Sequence, residues 1–310
     1  MDKSISGILA AEYFILMPVR MLRSERLTGW HVAAALVLAA VGVFATFDAW
    51  ADILRYAYVD EEYSHIFIVP VVAVWMLWVR RMRFRHCKIS GTIFGPLLVA
   101  IGWFGTSYGL HHYHQALWHG GALLVVIGCL LSVLGKNVLF RFFPAFAVLV
   151  FLIPVPGLIR QAIALPLQTW TASIAQACLE VLNVTTEVSE NRIIINGQPV
   201  TIAETCNGMR MVFPLILVGF AFSFGLPLRQ SVRMTVLLFS PIAGIVCNVV
   251  RTVPTIWIYG NQPRDIADTF HTYSGWFMLP IAFLLLLGII RLLRWAMLPV
   301  TRYPLASQYA

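Results

Sequence analysis

A chain of 310 residues with a mean hydropathy of +0.80, 59% hydrophobic and 12% charged residues, is far from a soluble globular domain, in which roughly a quarter of residues carry charge. The net charge of +8 sits in short clusters between apolar runs, which excludes a nucleic-acid-binding domain and points to membrane topogenesis. Cys87, Cys129, Cys178, Cys206 and Cys247 are odd in number and lack CxxC spacing, so they signal neither a disulfide framework nor a zinc site, and nothing calls for a cofactor.

In chain order, "ISGILAAEYFILMPV" is interrupted by Glu12 and followed by basic residues, which predicts a short interfacial helix rather than a cleavable signal peptide. Apolar runs then recur at 29–47, 64–80, 91–108, 117–134, 138–154, 209–225, 233–251 and 274–296. They predict an all-α polytopic membrane protein, one domain over 1–310 with about eight transmembrane helices. After the first run, "DAWADILRYAYVDEEYSH" reads as an external segment that gathers Asp60, Glu61 and Glu62 beside His65. The cluster "RRMRFRHCK" is topogenic and suits anionic lipid. "GLHHYHQALWHG" collects four histidines without a carboxylate, and reads as an interfacial loop, with no metal assigned.

"IPVP" at 153–156 ends the fifth run. From Pro154 to Cys206 the chain predicts a small external cap: an amphipathic helix in "GLIRQAIALPLQTWTASIAQACLEVL", then a short β-hairpin in "RIIINGQPVTIAE" around Asn196-Gly197.

Charge sets the orientation. With both termini cytoplasmic, the inside segments hold Lys3, Arg20, Arg23 and Arg26, the cluster Arg80, Arg81, Arg83, Arg85 and Lys88, then Lys136 and Arg141, Arg229 and Arg233, and Arg291, Arg294 and Arg302. That is 16 of the 22 basic residues, against 3 of the 14 acidic ones, as the positive-inside rule requires.

Ionisable residues at the rims of spans are functional candidates. Cys206 opens the sixth run, Arg251 closes the seventh and His271 precedes the eighth; counting at about 1.5 Å per residue from the basic end of each helix brings all three near the outer boundary. Cys206 suits a nucleophile favoured as thiolate by the helix N-terminus, with Arg210 one turn on. His271 suits a general acid or base, and Arg251, always protonated, suits stabilisation of a thiolate or an oxyanion. Asp268, one turn before His271, could orient the imidazole. This is the equipment of acyl transfer through a thioester.

At these residues the chain resembles the exosortase/archaeosortase family of membrane-embedded cysteine transpeptidases. The elements are Ala203-Glu-Thr-Cys206-Asn-Gly208-Met-Arg210, Asn248-Val-Val-Arg251 and His271-Thr-Tyr-Ser274-Gly275-Trp276, with Asn207 where serine is common and Ile66 after "EYSH" where glycine is common. The resemblance implies Cys206, Arg251 and His271 as the catalytic set. Arg210, Asn248, Asn207 and Asp268 are the supporting candidates around it. It implies cleavage of C-terminal sorting signals, each a short motif, a transmembrane helix and a basic tail, on membrane-anchored proteins, followed by transfer to an acyl acceptor it does not name. The expected setting is the cytoplasmic membrane of a prokaryote, with the site on the external face. The competing class is a transporter or flippase with an incidental rim cysteine, but such sites lie near the midplane, often in inverted repeats, and no repeat is visible.

Overall fold

The computed structural model describes residues 28–87, 93–184, 186–189, 192–195, 198–201 and 209–295. The expected N-terminal interfacial helix, the Asn196-Gly197 turn, Cys206 and Asn207 lie outside these residues, as does the side chain of Arg210.

Helix α1 (Gly29–Ala45) turns by 82° into α2 (Phe47–Val59). Thr46 marks the break: its hydroxyl donates to Gly42 O at 2.9 Å and accepts from Trp50 Nε1 at 3.0 Å. The stretch expected as an external segment is thus largely a helix, burying Ala49, Ile53 and Ala57 at a spacing of four. Asp60 accepts from Glu62 N and starts a 3₁₀ segment, Glu61–Phe67, which leads into α3 (Val69–Val79) with a proline in its first turn.

Helices α4 (Phe94–His111) and α5 (Gln115–Leu134) form a hairpin at very close range. A Cβ on Gly121 would stand 2.4 Å from Thr106 N and 2.6 Å from Gly102 O, and one on Gly109 2.3 Å from Trp118 N. Small residues let the two backbones meet, as they do where helices associate in lipid. Gly121→Ala is expected to wedge the hairpin apart and cost about 1–3 kcal/mol, the range of overpacking, read as a lower unfolding temperature in detergent.

The predicted run 138–154 is not one helix. It breaks into α6 (Lys136–Arg141), α7 (Phe143–Ala147) and a 3₁₀ turn, Val148–Leu152. Pro144 lies in the first turn of α7, where its missing N–H costs nothing and its ring disfavours helix just before it. The chain then bends by 85° into α8 (Gly157–Val181). Strands β1 (Thr186–Ser189), β2 (Arg192–Ile195) and β3 (Gln198–Thr201) make an antiparallel sheet in that order; β2 and β3 flank Asn196-Gly197, and β1 is an addition to the expected hairpin. Three helices complete the described chain: α9 (Met209–Gly225), α10 (Gln230–Asn261) and α11 (Arg264–Trp295).

Among the described residues, four helices are long and apolar enough to cross a membrane, or up to six if each bent pair is one span, and this supports an all-α membrane protein. The eight spans expected are not reached by this measure. Residues 29–47 and 138–154 survive only as halves of bent pairs, α9 is short, and α4 is diluted by glycines and a polar "TSYGLH" end. Large side chains such as Trp30, Phe44, Leu36 and Phe104 remain exposed, as a lipid-facing surface requires.

Pairwise contacts fix the register around α9. It runs parallel to α3, with Phe213 stacked on His65 at one end and Phe224 O bonded by Arg80 at the other. It runs antiparallel to α10, with Ser223 bonded to Arg233, Gly219 against Ser240 and Val212 against Gly244. Tyr259 meets Asp268, and Cys247 shares an apolar cluster with Ala282, so α11 runs antiparallel to α10 in turn.

Candidate active site

Helix α10 carries a polar stripe at Asn248, Arg251, Thr252 and Thr255, every member of which is buried, with Arg251 only 1% exposed. The spacing of three and four puts the stripe on one face, turned into protein rather than lipid. A buried guanidinium requires polar company, because desolvating a charge without hydrogen bonds is prohibitive. Arg251 Nη2 donates to Asn248 Oδ1 at 3.2 Å, Asn248 Nδ2 donates to Thr171 Oγ1 of α8 at 3.4 Å, and Thr255 Oγ1 donates to Arg251 O at 2.7 Å. Thr171, invisible to motif reading, is the residue through which α8 reaches this stripe.

The segments between 157 and 201 pack on the far third of α10. Ala172, Ala175 and Leu179 of α8, Ile193 and Ile195 of β2, and Ile256 form one buried cluster. A Cβ on Gly260 would meet Ile195 at 2.3 Å, so the glycine admits the sheet.

Two placements correct the sequence reading. Arg251 does not close its helix, which continues to Asn261, and His271 does not precede one, since α11 begins at Arg264. Both lie inside long helices, whose outer thirds are too polar to register as apolar runs. With Tyr259 opposite Asp268 in antiparallel helices, His271 lies about level with Ile256, five residues on from Arg251, or roughly 8 Å along the axis. His271 is half-buried, and Ser274 Oγ donates to its carbonyl at 3.0 Å. Asp268 accepts a 2.6 Å bond from the Tyr259 hydroxyl, tying α11 to α10 just beyond this level.

The other singled-out residues fall elsewhere. Cys129 and Cys247 are buried free thiols among apolar neighbours, and Cys178 is an exposed one. The four histidines are dispersed: His119 is buried on α5 and bonds Asp52 at 3.0 Å, while His111 bonds Ser107 O. The sequence reading had seen no carboxylate near them because Asp52 comes from α2.

The family model for transmembrane exosortase (Exosortase_EpsH) matches residues 50–288, a stretch that runs from α2 through α11 and contains the polar stripe, His271 and Cys206. This chain belongs to the transmembrane exosortase family. No curated relative and no solved structure matches it. Membership supports a membrane transpeptidase-like role for this exosortase.

One further network in the exosortase was missed by sequence reasoning. Glu62, 7% exposed, accepts a 2.9 Å ion-paired bond from Arg160 at the start of α8, and Asp60 stands 3.7 Å from the same nitrogen. Three residues on, His65 is bonded through Nδ1 to Glu62 O and stacks on Phe213 at 5.6 Å. The acidic segment therefore joins the entry of α8 to the entry of α9. The only sequence signal was the density of acids beside one histidine. Arg160→Met is expected to destabilise the protein by about 1–3 kcal/mol, the cost of stranding a largely buried partner, and Glu62→Gln in the same background should recover part of it. An additive cycle would show the pair to be uncoupled.

Proposed function

We propose that this exosortase is a cysteine peptidase/transpeptidase that cleaves C-terminal sorting signals at the external membrane–water boundary. The carrying observation is the buried Arg251, held by Asn248 and Thr171 within about two turns of the level of His271. The antiparallel register of α9 on α10 brings Val212 to Gly244. In the sequence Cys206 stands three residues ahead of Met209, the first residue of α9.

In this reading the Cys206 thiolate attacks the scissile carbonyl, and Arg251 stabilises the oxyanion of the tetrahedral intermediate. His271 gives a proton to the departing amine as the C–N bond breaks, leaving a thioester on Cys206. An incoming amine, another nucleophile or water then gives up a proton to His271 and releases the new carboxyl derivative and the thiolate. The substrate's transmembrane helix docks beside the bundle with its motif at the outer rim and its basic tail on the cytoplasmic side. Arg210, Asn207 and Asp268 support the site from the turns next to Cys206 and His271. The arginine-rich ends of α3 and α9 then face the cytoplasm of a prokaryotic inner membrane.

The test is the fate of a membrane-anchored protein bearing such a C-terminal signal in cells that lack this chain. The sorting helix should stay attached, and restoring the chain should remove it. Processing that proceeds without the chain would defeat the proposal and leave the transporter class standing.

A further inference from the structure

At the end of α9 away from His65, arginines gather with no acid paired to them among the described residues. Arg80 donates to Phe224 O, and Arg233 donates from Nε to Ser223 O at 2.7 Å while lying 4.9 Å over the Phe224 ring. Both guanidinium groups thus close the C-terminal end of α9, where helix carbonyls lack helical partners. Burial, then the charges of Arg83 and Arg233, pull the Arg80 guanidinium below the usual arginine range. No aspartate or glutamate occurs in 63–179 or in 205–264, the stretches that supply these arginines. The ion pairs among the described residues all involve Asp52, Asp60 or Glu62.

Beside Arg233 a recess of about 520 Å³ opens at the N-terminus of α10, lined among the described residues by Leu228, Arg229, Gln230, Ser231 and Arg233. The first-turn amides of this 32-residue helix add N–H donors. One and two turns past Gln230 on the same face, Met234 and Leu238 are 58% and 65% exposed. A cationic recess thus continues into an apolar track.

We propose that this recess binds the phosphate of an anionic phospholipid headgroup, held by Arg229, Arg233 and the first turn of α10, with an acyl chain along Met234 and Leu238. Arg229 is the selective contact, since Arg233 also serves the end of α9. The lipid supplies the counter-charge that the acid-free stretches do not. Aqueous phosphate shares the headgroup chemistry but has no use for the apolar track.

The experiment uses the full chain in a neutral detergent, titrated with short-chain phosphatidylglycerol, short-chain phosphatidylcholine and inorganic phosphate, read by native mass spectrometry and thermal unfolding. Phosphatidylglycerol should be retained and should raise the unfolding temperature; the other two should do neither at equal concentration. Arg229→Gln should weaken phosphatidylglycerol binding roughly tenfold or more, the worth of one charge-assisted hydrogen bond, and Arg229→Lys should keep most of it. Arg81→Gln is the control, because that side chain sits at the same end but stacks 4.5 Å from the Trp78 ring. Equal response to both lipids, or equal losses in the Arg229 and Arg81 variants, would overturn the site. An Arg229-dependent response to inorganic phosphate alone would overturn the lipid as its occupant. Peptide processing is not a readout, so this result stands apart from that of the proposed reaction.

Discussion

Cells producing Cys206→Ala at wild-type levels are expected to leave the sorting helix on the substrate, with processing reduced on the order of 10³-fold or more, since removing the nucleophile of a covalent mechanism removes the pathway itself. Cys206→Ser should retain a trace at most, because a hydroxyl is far less ionised than a thiol at neutral pH. The substitutions are small and should leave the unfolding temperature within a degree or two. A second readout separates chemistry from docking. The alanine variant should still hold the uncleaved substrate in a pull-down, while wild-type protein starved of acceptor should carry a substrate-derived acyl group on Cys206. Unaltered processing by Cys206→Ala would transfer the reaction to another residue, and Cys129 and Cys247 are poor candidates because both thiols are buried among apolar side chains.

How far the sequence foretold this arrangement varies by element, for physical reasons. Helices whose whole length is apolar, such as α5, were legible from hydropathy alone. Helices with a polar end were cut short: "RTVPTIWIYGN" and "RDIADTFHTYS" carry too many polar groups to count as spans, yet they continue α10 and α11 because they pack on each other, and α10 also on α8. That truncation placed Arg251 and His271 at helix ends instead of inside helices, where their levels differ by one to two turns. Strand β1 was lost because "TEVS" has no turn signal of its own and is specified by pairing with β2. The break before α7 was announced by Pro144, but a hydropathy window averages across it. Asn248 was visible through its spacing to Arg251; Thr171 was not, since a threonine on an amphipathic helix is ordinary until the fold sets it against Asn248.

The Glu62 segment, α8 and the candidate site are one structure. α8 is tied at its start to Glu62 by Arg160 and at its middle to Asn248 by Thr171, and the Glu62 segment in turn stacks His65 on α9. α8 is therefore a helix clamped at two points.

Arg251→Lys gives the sharpest view of what that rigidity serves. Lysine keeps the positive charge on a shorter reach and replaces the planar fork by three donors on one atom, so a contact to Asn248 Oδ1 draws its charge away from the place a developing oxyanion would take. The variant is expected to fold, and to lose about 10²–10³-fold in processing rate, the usual effect of deleting one preorganised oxyanion donor. The loss should fall on kcat with little change in KM, because the contact strengthens only as charge develops. Arg251→Ala should lose as much activity and should also lower the unfolding temperature, since it opens a cavity among Asn248, Thr252 and Thr255, all within 1% of full burial. A purely structural arginine predicts the opposite pattern. Lysine would then restore activity in step with stability, and alanine would fail only where it fails to fold. Measuring rate and unfolding temperature on the same two variants separates these outcomes, because a catalytic guanidinium uncouples them in the lysine protein.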